Sequence, residues 1–300
     1  MKVGFIVIGV LVGLSLLGML WLVLKRPLTL WDWTTRRALL KAGMQKLTIP
    51  SEWGPQTVFV GGQGKPLVLL HGAGDHAGTW FRAVSSLLAS HRVILLDLLG
   101  HGDSAPHTGP LPTADIFGAL ETVIASQTSD QPCIIGGNSL GAWMAMVYAY
   151  RHPDKVERVV AINGGPLLGQ PNPEIKLTPT TREEARITMR HLRDAASPRI
   201  PDHVLDDTVR RASRGPLARF SATAATMFPW LLTEDQLREM RVPVKLVWGV
   251  SDQLMPLSYA RRMLQALPNA VLFPVEACGH VPQQEAPKPF AEALSQALKA

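Results

Sequence analysis

The chain has two cysteines in 300 residues, Cys133 and Cys278, too few for a disulfide framework, and they match no metal-ligand spacing. Both read as small buried hydrophobes, and nothing else in the sequence asks for a metal or an organic cofactor. Charge is also sparse: Asp, Glu, Lys and Arg together make up 18% of the residues. No internal repeat or low-complexity tract is visible, so a solenoid or a disordered segment is not expected. The net charge of +6 is modest. Its densest block (Arg182, Arg186, Arg190, Arg193, Arg199, Arg210, Arg211, Arg214, Arg219) is interleaved with acids and holds no stacking aromatics. That pattern describes solvated helix faces and argues against a nucleic-acid partner.

What the chain has is an apolar beginning. From Val3 to Leu24 no residue is charged, and a helix of that length crosses ~30 Å of hydrocarbon. The competing readings are a cleavable secretory signal and a buried helix. The run is longer than a typical signal core, and no small-x-small site precedes Lys25. We therefore expect residues 1–24 to be a retained single-pass membrane anchor. Lys25, Arg26, Arg36, Arg37 and Lys41 follow it, offset only by Asp32, which by the positive-inside rule places the remainder in the cytoplasm. Trp31 and Trp33 suit either an interfacial belt or packing on the globular domain. Residues 25–55 read as a juxtamembrane linker.

Beyond the linker, short Val-, Ile- and Leu-rich runs alternate with helical patterns. Strands are predicted at Thr57–Val60, Leu67–Leu70, Val93–Leu96, Cys133–Ile135, Val159–Ile162, Val244–Trp248 and Val271–Val275. Helices are predicted at Thr79–Ala89, Ala114–Ser126, Leu140–Tyr150, Ser258–Leu267 and Pro287–Leu298. Continuous apolar strands separated by helices imply an α/β fold, a doubly wound and mostly parallel sheet covered on both faces. Residues 56–165 and 242–300 form that core. The alternation lapses over 166–241, expected to be a helical cap above the carboxyl edge of the sheet, where such folds bind ligands.

Three groups at successive strand ends carry the chemistry. Gly137-Asn138-Ser139-Leu140-Gly141 joins a predicted strand to a predicted helix. In G-x-S-x-G the serine occupies a tight turn that exposes its hydroxyl and aims the helix N-terminus, with the N–H of Leu140, at a developing oxyanion. A serine hydroxyl needs a base, and the base needs an orienting acid. Asp252 follows the strand Val244–Trp248, and His280 follows the strand Val271–Val275. Taken singly, Asp252 reads equally as a turn aspartate and His280 as a surface histidine; in this order they read as acid and base. Asp235, Glu276 and Glu285 are the other acids nearby, with Asp235 in the inserted segment and Glu276 too close to His280 in sequence. His71-Gly72-Ala73-Gly74 follows the strand Leu67–Leu70 and offers the N–H of Ala73 as a second oxyanion donor, His71 bracing the loop. The same loop, with Asp97 ending the next strand, imitates a dinucleotide-binding unit. Its last glycine falls one place late for G-x-G-x-x-G, and that reading leaves Ser139, Asp252 and His280 without a role.

These segments, with Asp97 to Ser104, resemble the α/β-hydrolase superfamily from about Gln56 onward. With the anchor, the basic linker and the cap segment Thr178–Pro201 included, the chain is similar to membrane-anchored monoacylglycerol lipases and related bacterial lipases or esterases. The resemblance implies Ser139 as nucleophile, His280 as base, Asp252 as its orienter and the amides of Ala73 and Leu140 as oxyanion hole. Ala142 stands where many members have a second glycine, which touches helix packing only. The expected function is cleavage of a small-molecule, lipid-like carboxylic ester through an acyl-enzyme. Carbon–carbon bond hydrolysis, or a non-catalytic accessory role on the same fold, are the alternatives, ahead of a dinucleotide-dependent oxidoreductase. Leu167, Leu168, Met189, Leu217, Phe220, Met227, Phe228, Trp230 and Leu231 either line an acyl pocket or form the core of the cap.

Overall fold

The computed structural model describes residues 2–129, 131–169, 172 and 174–300, with side chains from Leu11 onward. Eight strands form one sheet: β1 (Gln45–Ile49), β2 (Gln56–Gly61), β3 (Lys65–Leu70), β4 (His91–Leu96), β5 (Cys133–Asn138), β6 (Val156–Ile162), β7 (Val244–Gly249) and β8 (Ala270–Val275). Their order is β1-β2-β4-β3-β5-β6-β7-β8. The pairs β1–β2 and β2–β4 are antiparallel and all others parallel. All seven predicted strands are present. The eighth, β1, lies in the expected linker. Its sequence Gln-Lys-Leu-Thr-Ile is polar and exposed, so only main-chain pairing with β2 identifies it as an edge strand.

The central strands are apolar because both faces are covered. Alternate residues of β3 point opposite ways. Val68 and Leu70 join one core cluster with Phe117, Leu120 and Met144, whereas Leu67 and Leu69 join another with Leu39, Trp80, Val84 and Phe290. The helices are α1 (Lys2–Lys25), α2 (Pro27–Lys41), α3 (Val84–Leu88), α4 (Thr113–Thr128), α5 (Leu140–Arg151), α6 (Arg182–His191), α7 (Asp202–Ala212), α8 (Pro216–Ser221), α9 (Glu234–Arg238), α10 (Leu257–Ala266), α11 (Pro282–Glu285) and α12 (Pro287–Lys299). The predicted helix Thr79–Ala89 is broken into a 3-10 turn, Ala77–Trp80, and α3. The side chain of His76 accepts the Gly78 N–H and fixes that tighter turn.

At the N-terminus, α1 exposes Leu11, Leu14, Leu16, Leu17, Leu20 and Trp21, which excludes a buried core helix. Among the described residues no single helix is long and apolar enough to cross a membrane. Leu11–Lys25 and Pro27–Lys41 meet that test only as a pair bent by 105°. The bend falls at Pro27, whose ring cannot continue an upstream helix.

The expected linker 25–55 is thus a helix followed by a strand, and α2 is held from two sides. Arg36 pairs with Asp97 at 3.0 Å and also with Asp103, and His76 Nε2 lies 3.1 Å from Asp32 Oδ1. Trp31 meets Phe81 edge to face, while Trp33 is exposed. On the other side, α2 has no cap of its own, and the buried Asp207 of α7 accepts its Leu28 N–H at 3.0 Å. Arg211 of α7 also reaches Asp32 at 2.8 Å.

Between β6 and β7 lie α6 to α9 with two 3-10 turns. Main-chain contacts of Leu232 with Pro166 and Leu168 close the ends of this insertion. On its outer face Arg182 pairs with Asp202 and Asp206, and Arg186 with Glu183 and Asp202. Replacing Asp207 by alanine orphans the Leu28 amide. We expect a loss of about 1–3 kcal/mol, read as a lower Tm; an unchanged Tm would mean that α2 and α7 are not coupled.

Candidate active site

The turn after β5 holds Ser139 at φ 55°, ψ −114°, a backbone conformation that an L-residue adopts at a cost of order 1–3 kcal/mol. Its neighbours enforce it. A Cβ at Gly137 would lie 2.5 Å from the Gly141 carbonyl carbon, and one at Gly141 would lie 2.3 Å from the Leu70 oxygen. Only glycines let β5, α5 and β3 approach this closely. The Ser139 N–H donates to Ile162 O at 2.9 Å, tying the turn to β6. Among the described residues the Ser139 hydroxyl has no hydrogen-bond partner. It faces a cavity of roughly 1910 Å³ also lined by Gly72, Ala73, Gly74 and His280.

His280 and Asp252 are hydrogen-bonded to each other. His280 Nδ1 donates to Asp252 Oδ2 at 2.7 Å, and both side chains are almost fully buried. The other carboxylate oxygen accepts the amides of Leu254 and Met255 at 2.9 and 3.0 Å. With Nδ1 donating, His280 keeps Nε2 as an acceptor.

Three polar residues outside the sequence-predicted set build this site. Asn138, beside Ser139, donates to the His280 carbonyl at 2.9 Å. Asn163, at the end of β6, donates to Asp252 Oδ2 at 2.7 Å. Glu285 accepts the Gly279 amide at 2.7 Å and the Asp194 amide at 2.8 Å, joining the His280 loop to the insertion. The insertion contributes backbone as well, since Leu192 O accepts the His280 N–H at 2.8 Å. Asn138 stands inside the G-x-S-x-G signature and Asn163 directly after an apolar strand. Those placements are the only sequence signals for them. Asp235 pairs with Arg238 at the surface, and Glu276 is exposed.

Ala73 and Leu140 flank Ser139 from β3 and α5. Leu140 opens α5, where a helix leaves its first amides without internal partners. Gly72 would place a Cβ 3.4 Å from Ser139 Cβ, so the β3 loop lies directly against the serine. His71 braces that loop: Nδ1 donates to Gly72 O at 2.8 Å, and Nε2 accepts the Leu98 amide at 2.9 Å. Asp97 is buried and takes the amides of Ala77 and Asp103 together with Arg36. It is a scaffold carboxylate whose oxygens are already taken by protein donors, which leaves none facing a ribose.

Of the apolar residues expected around a pocket, Met189 and Leu217 line the cavity. Leu167, Phe220, Met227, Trp230 and Leu231 pack into the core beneath, where the tilted rings of Trp230 and Phe117 lie 4.8 Å apart and Phe220 meets Trp143. Leu168 and Phe228 are exposed.

Residues 67–293 match the family model "Alpha/beta hydrolase family". The chain belongs to the alpha/beta hydrolase family. It is 30% identical over 258 residues to a 2-hydroxy-6-oxononadienedioate/2-hydroxy-6-oxononatrienedioate hydrolase of Paraburkholderia phymatum, covering 78% of this chain and 87% of that protein. It is 28% identical over 257 residues to a pimeloyl-[acyl-carrier protein] methyl ester esterase of Chromobacterium violaceum, covering 79% and 96%. A bacterial membrane phospholipase A has the same fold, with a TM-score of 0.75 at 24% identity over 100% of this chain and 98% of that one.

Beside His71, a second buried imidazole bears on acid stability. Burial, and then the neighbouring His101, push His71 well below its ordinary range; burial pushes His101 from 6.5 down to about 4. Between those values the unfolded chain binds more protons than the folded one, so stability is lost as pH falls from 6.5 towards 4. The His101 share is about 3 kcal/mol. We expect the Tm of His101→Asn to fall less between about pH 7 and about pH 4.5 than that of the wild type; parallel falls would contradict this.

Proposed function

We propose that this hydrolase-family protein is a serine esterase acting on lipid-like carboxylic esters, with Ser139 as nucleophile, His280 as general base and Asp252 as the acid that orients it. The observation that carries the reading is the Ser139 hydroxyl, exposed by a left-handed turn at the start of α5 and facing the same cavity as a histidine already bonded to a buried aspartate.

In the proposed reaction the Ser139 proton passes to His280 Nε2 as Oγ bonds to the ester carbonyl carbon. The carbonyl electron pair moves onto oxygen, where the amides of Ala73 and Leu140 stabilise it. Asp252 holds the imidazole in the tautomer that accepts this proton and stabilises the resulting imidazolium. The tetrahedral species collapses, and the departing alcohol takes its proton from Nε2. Water then repeats the sequence on the acyl-enzyme, releasing the carboxylic acid and restoring the serine hydroxyl.

The lipid-like character rests on the apolar part of the cavity lining, where Leu177, Met189, Ile200, Val204 and Leu217 share the cavity with Ser139, and on the exposed apolar α1. We read α1 as a retained single-pass anchor, with the basic residues that follow it on the cytoplasmic side. The insertion between β6 and β7 serves as the cap over the cavity. A second reading, hydrolysis of a carbon–carbon bond, is favoured by the relative named for a 2-hydroxy-6-oxo dienedioate at 30% identity.

Full-length protein should react covalently with a fluorophosphonate, Ser139→Ala should not, and esterase turnover of that variant should drop by about 10⁴-fold or more. Failure of the folded wild type to label would refute the nucleophile assignment. Across p-nitrophenyl esters, kcat/KM should rise from acetate to medium acyl chains and exceed that for a 2-hydroxy-6-oxo dienoate. A preference for acetate would remove the lipid-like substrate, and a preference for the dienoate would favour the second reading.

A further inference from the structure

Asn163 lies at the point where the ends of three strands meet. It follows β6, is completely buried and has a positive φ of 44°. Its main-chain N–H donates to Val247 O at 3.1 Å on β7. Its side-chain Oδ1 accepts the Gly249 amide at 2.9 Å, and its Nδ2 donates to Asp252 Oδ2 at 2.7 Å. The amide can face only one way, because reversing it would set donor against donor and acceptor against acceptor. Its surroundings are as tight. A Cβ at Gly164 would lie 2.4 Å from Ser139 O, and one at Gly249 would lie 2.0 Å from Gly279 O. Asn163 thus touches the acid directly, its neighbour touches the serine, and its partner Gly249 abuts the histidine loop.

We propose that Asn163 is the positioning residue that sets the orientation and charge of the Asp252 carboxylate and, through it, the proton affinity of His280. The proposal rests on the triad reading above. Asp252 Oδ2 is shared by two donors, Asn163 Nδ2–H and His280 Nδ1–H. The amide draws part of the carboxylate's charge away from the imidazole. Without it, more of that charge falls on the histidine bond, the imidazolium is stabilised, and the base holds its proton to a higher pH. The other charged groups packed around the pair are Glu285 on α11, bonded to the Gly279 amide, and Arg193 and Asp194 between α6 and α7. The Cys278 thiol, pushed up to about 12 by burial and by Glu285, stays neutral. A change at residue 163 alters none of these.

The left-handed backbone suits Asn and Gly alike, so Asn163→Gly removes the amide without strain. Asn163→Asp keeps the shape and an oxygen for Gly249, but replaces the donor with an acceptor facing Asp252. Each variant is first checked for a cooperative melt. For Asn163→Gly we expect kcat to fall about tenfold with KM little changed, and the acidic limb of kcat/KM against pH to move up by about half a unit. Asn163→Asp should move the limb in the same direction and further, because it adds negative charge. An unmoved limb in both variants overturns the proposal, whether kcat is retained or falls, since a merely structural residue would change rate alone. A limb moving to lower pH overturns it as well. Ser139→Ala, assayed alongside, separates the two levels: if it is inactive while the Asn163 variants match the wild type, only the positioning role fails. If Ser139→Ala is fully active, the triad reading fails and the Asn163 proposal falls with it.

Discussion

A buried carboxylate sets the terms for the carboxyl edge of this sheet. Asp252 is 2% exposed, and an ionised side chain there costs several kcal/mol unless its oxygens are satisfied. Four donors do so: two amides from its own loop, Asn163 from the end of β6 and His280 from the loop after β8. Satisfying that charge brings together residues from three strand ends, and with them the backbone that holds Ser139. The loops at this edge are therefore ordered by an electrostatic requirement in addition to apolar packing. The strained Ser139 turn is maintained by the same crowding, since Gly137, Gly141 and Gly164 each leave no room for a side chain.

A second set of polar contacts extends this order to the N-terminal region. The helix α2 is fixed to the core by Arg36 on Asp97 and by Asp32 on His76, and to the insertion by Asp207 and Arg211. The His280 loop is in turn fixed to the insertion through Leu192 and Glu285. One wall of the cavity is formed by α2, with Leu28, Trp31 and Leu40 among its lining. A displacement of α2 would consequently be felt at both the β3 loop and the insertion. The 105° bend between Leu11–Lys25 and α2 sets the direction in which the exposed apolar helix leaves the domain.

Much of this was legible in the sequence, for a physical reason. Strands covered on both faces must be continuously apolar, so the central strands are legible as apolar runs, and β8, although a partly exposed edge strand, is legible from its Val, Leu and Phe content; the residues at the ends of β5, β7 and β8 follow by position. The residues that escaped were those whose stability comes from partners remote in sequence. The strand β1 is polar because only its backbone is used. The helix α2 resembled a basic linker because its anchors, Asp97, Asp207 and His76, lie between 40 and 179 residues away. Asn138, Asn163 and Glu285 stand at positions the sequence marks but does not explain, since their roles exist only once the strands are side by side. Composition likewise could not decide whether the apolar residues of 166–241 line a pocket, because lining and packing demand the same side chains.

A crystal structure of the full-length protein after treatment with a long-chain phosphonate ester would show whether these groups converge on a reacting ester. We expect a covalent bond from phosphorus to Ser139 Oγ. We also expect the phosphoryl oxygen about 2.7–3.1 Å from the amides of Ala73 and Leu140, His280 Nε2 within hydrogen-bonding reach of the adduct, and the alkyl chain against Met189 and Leu217. Phosphorus bound to another residue, or an adduct at Ser139 whose oxygen points away from both amides, would contradict this.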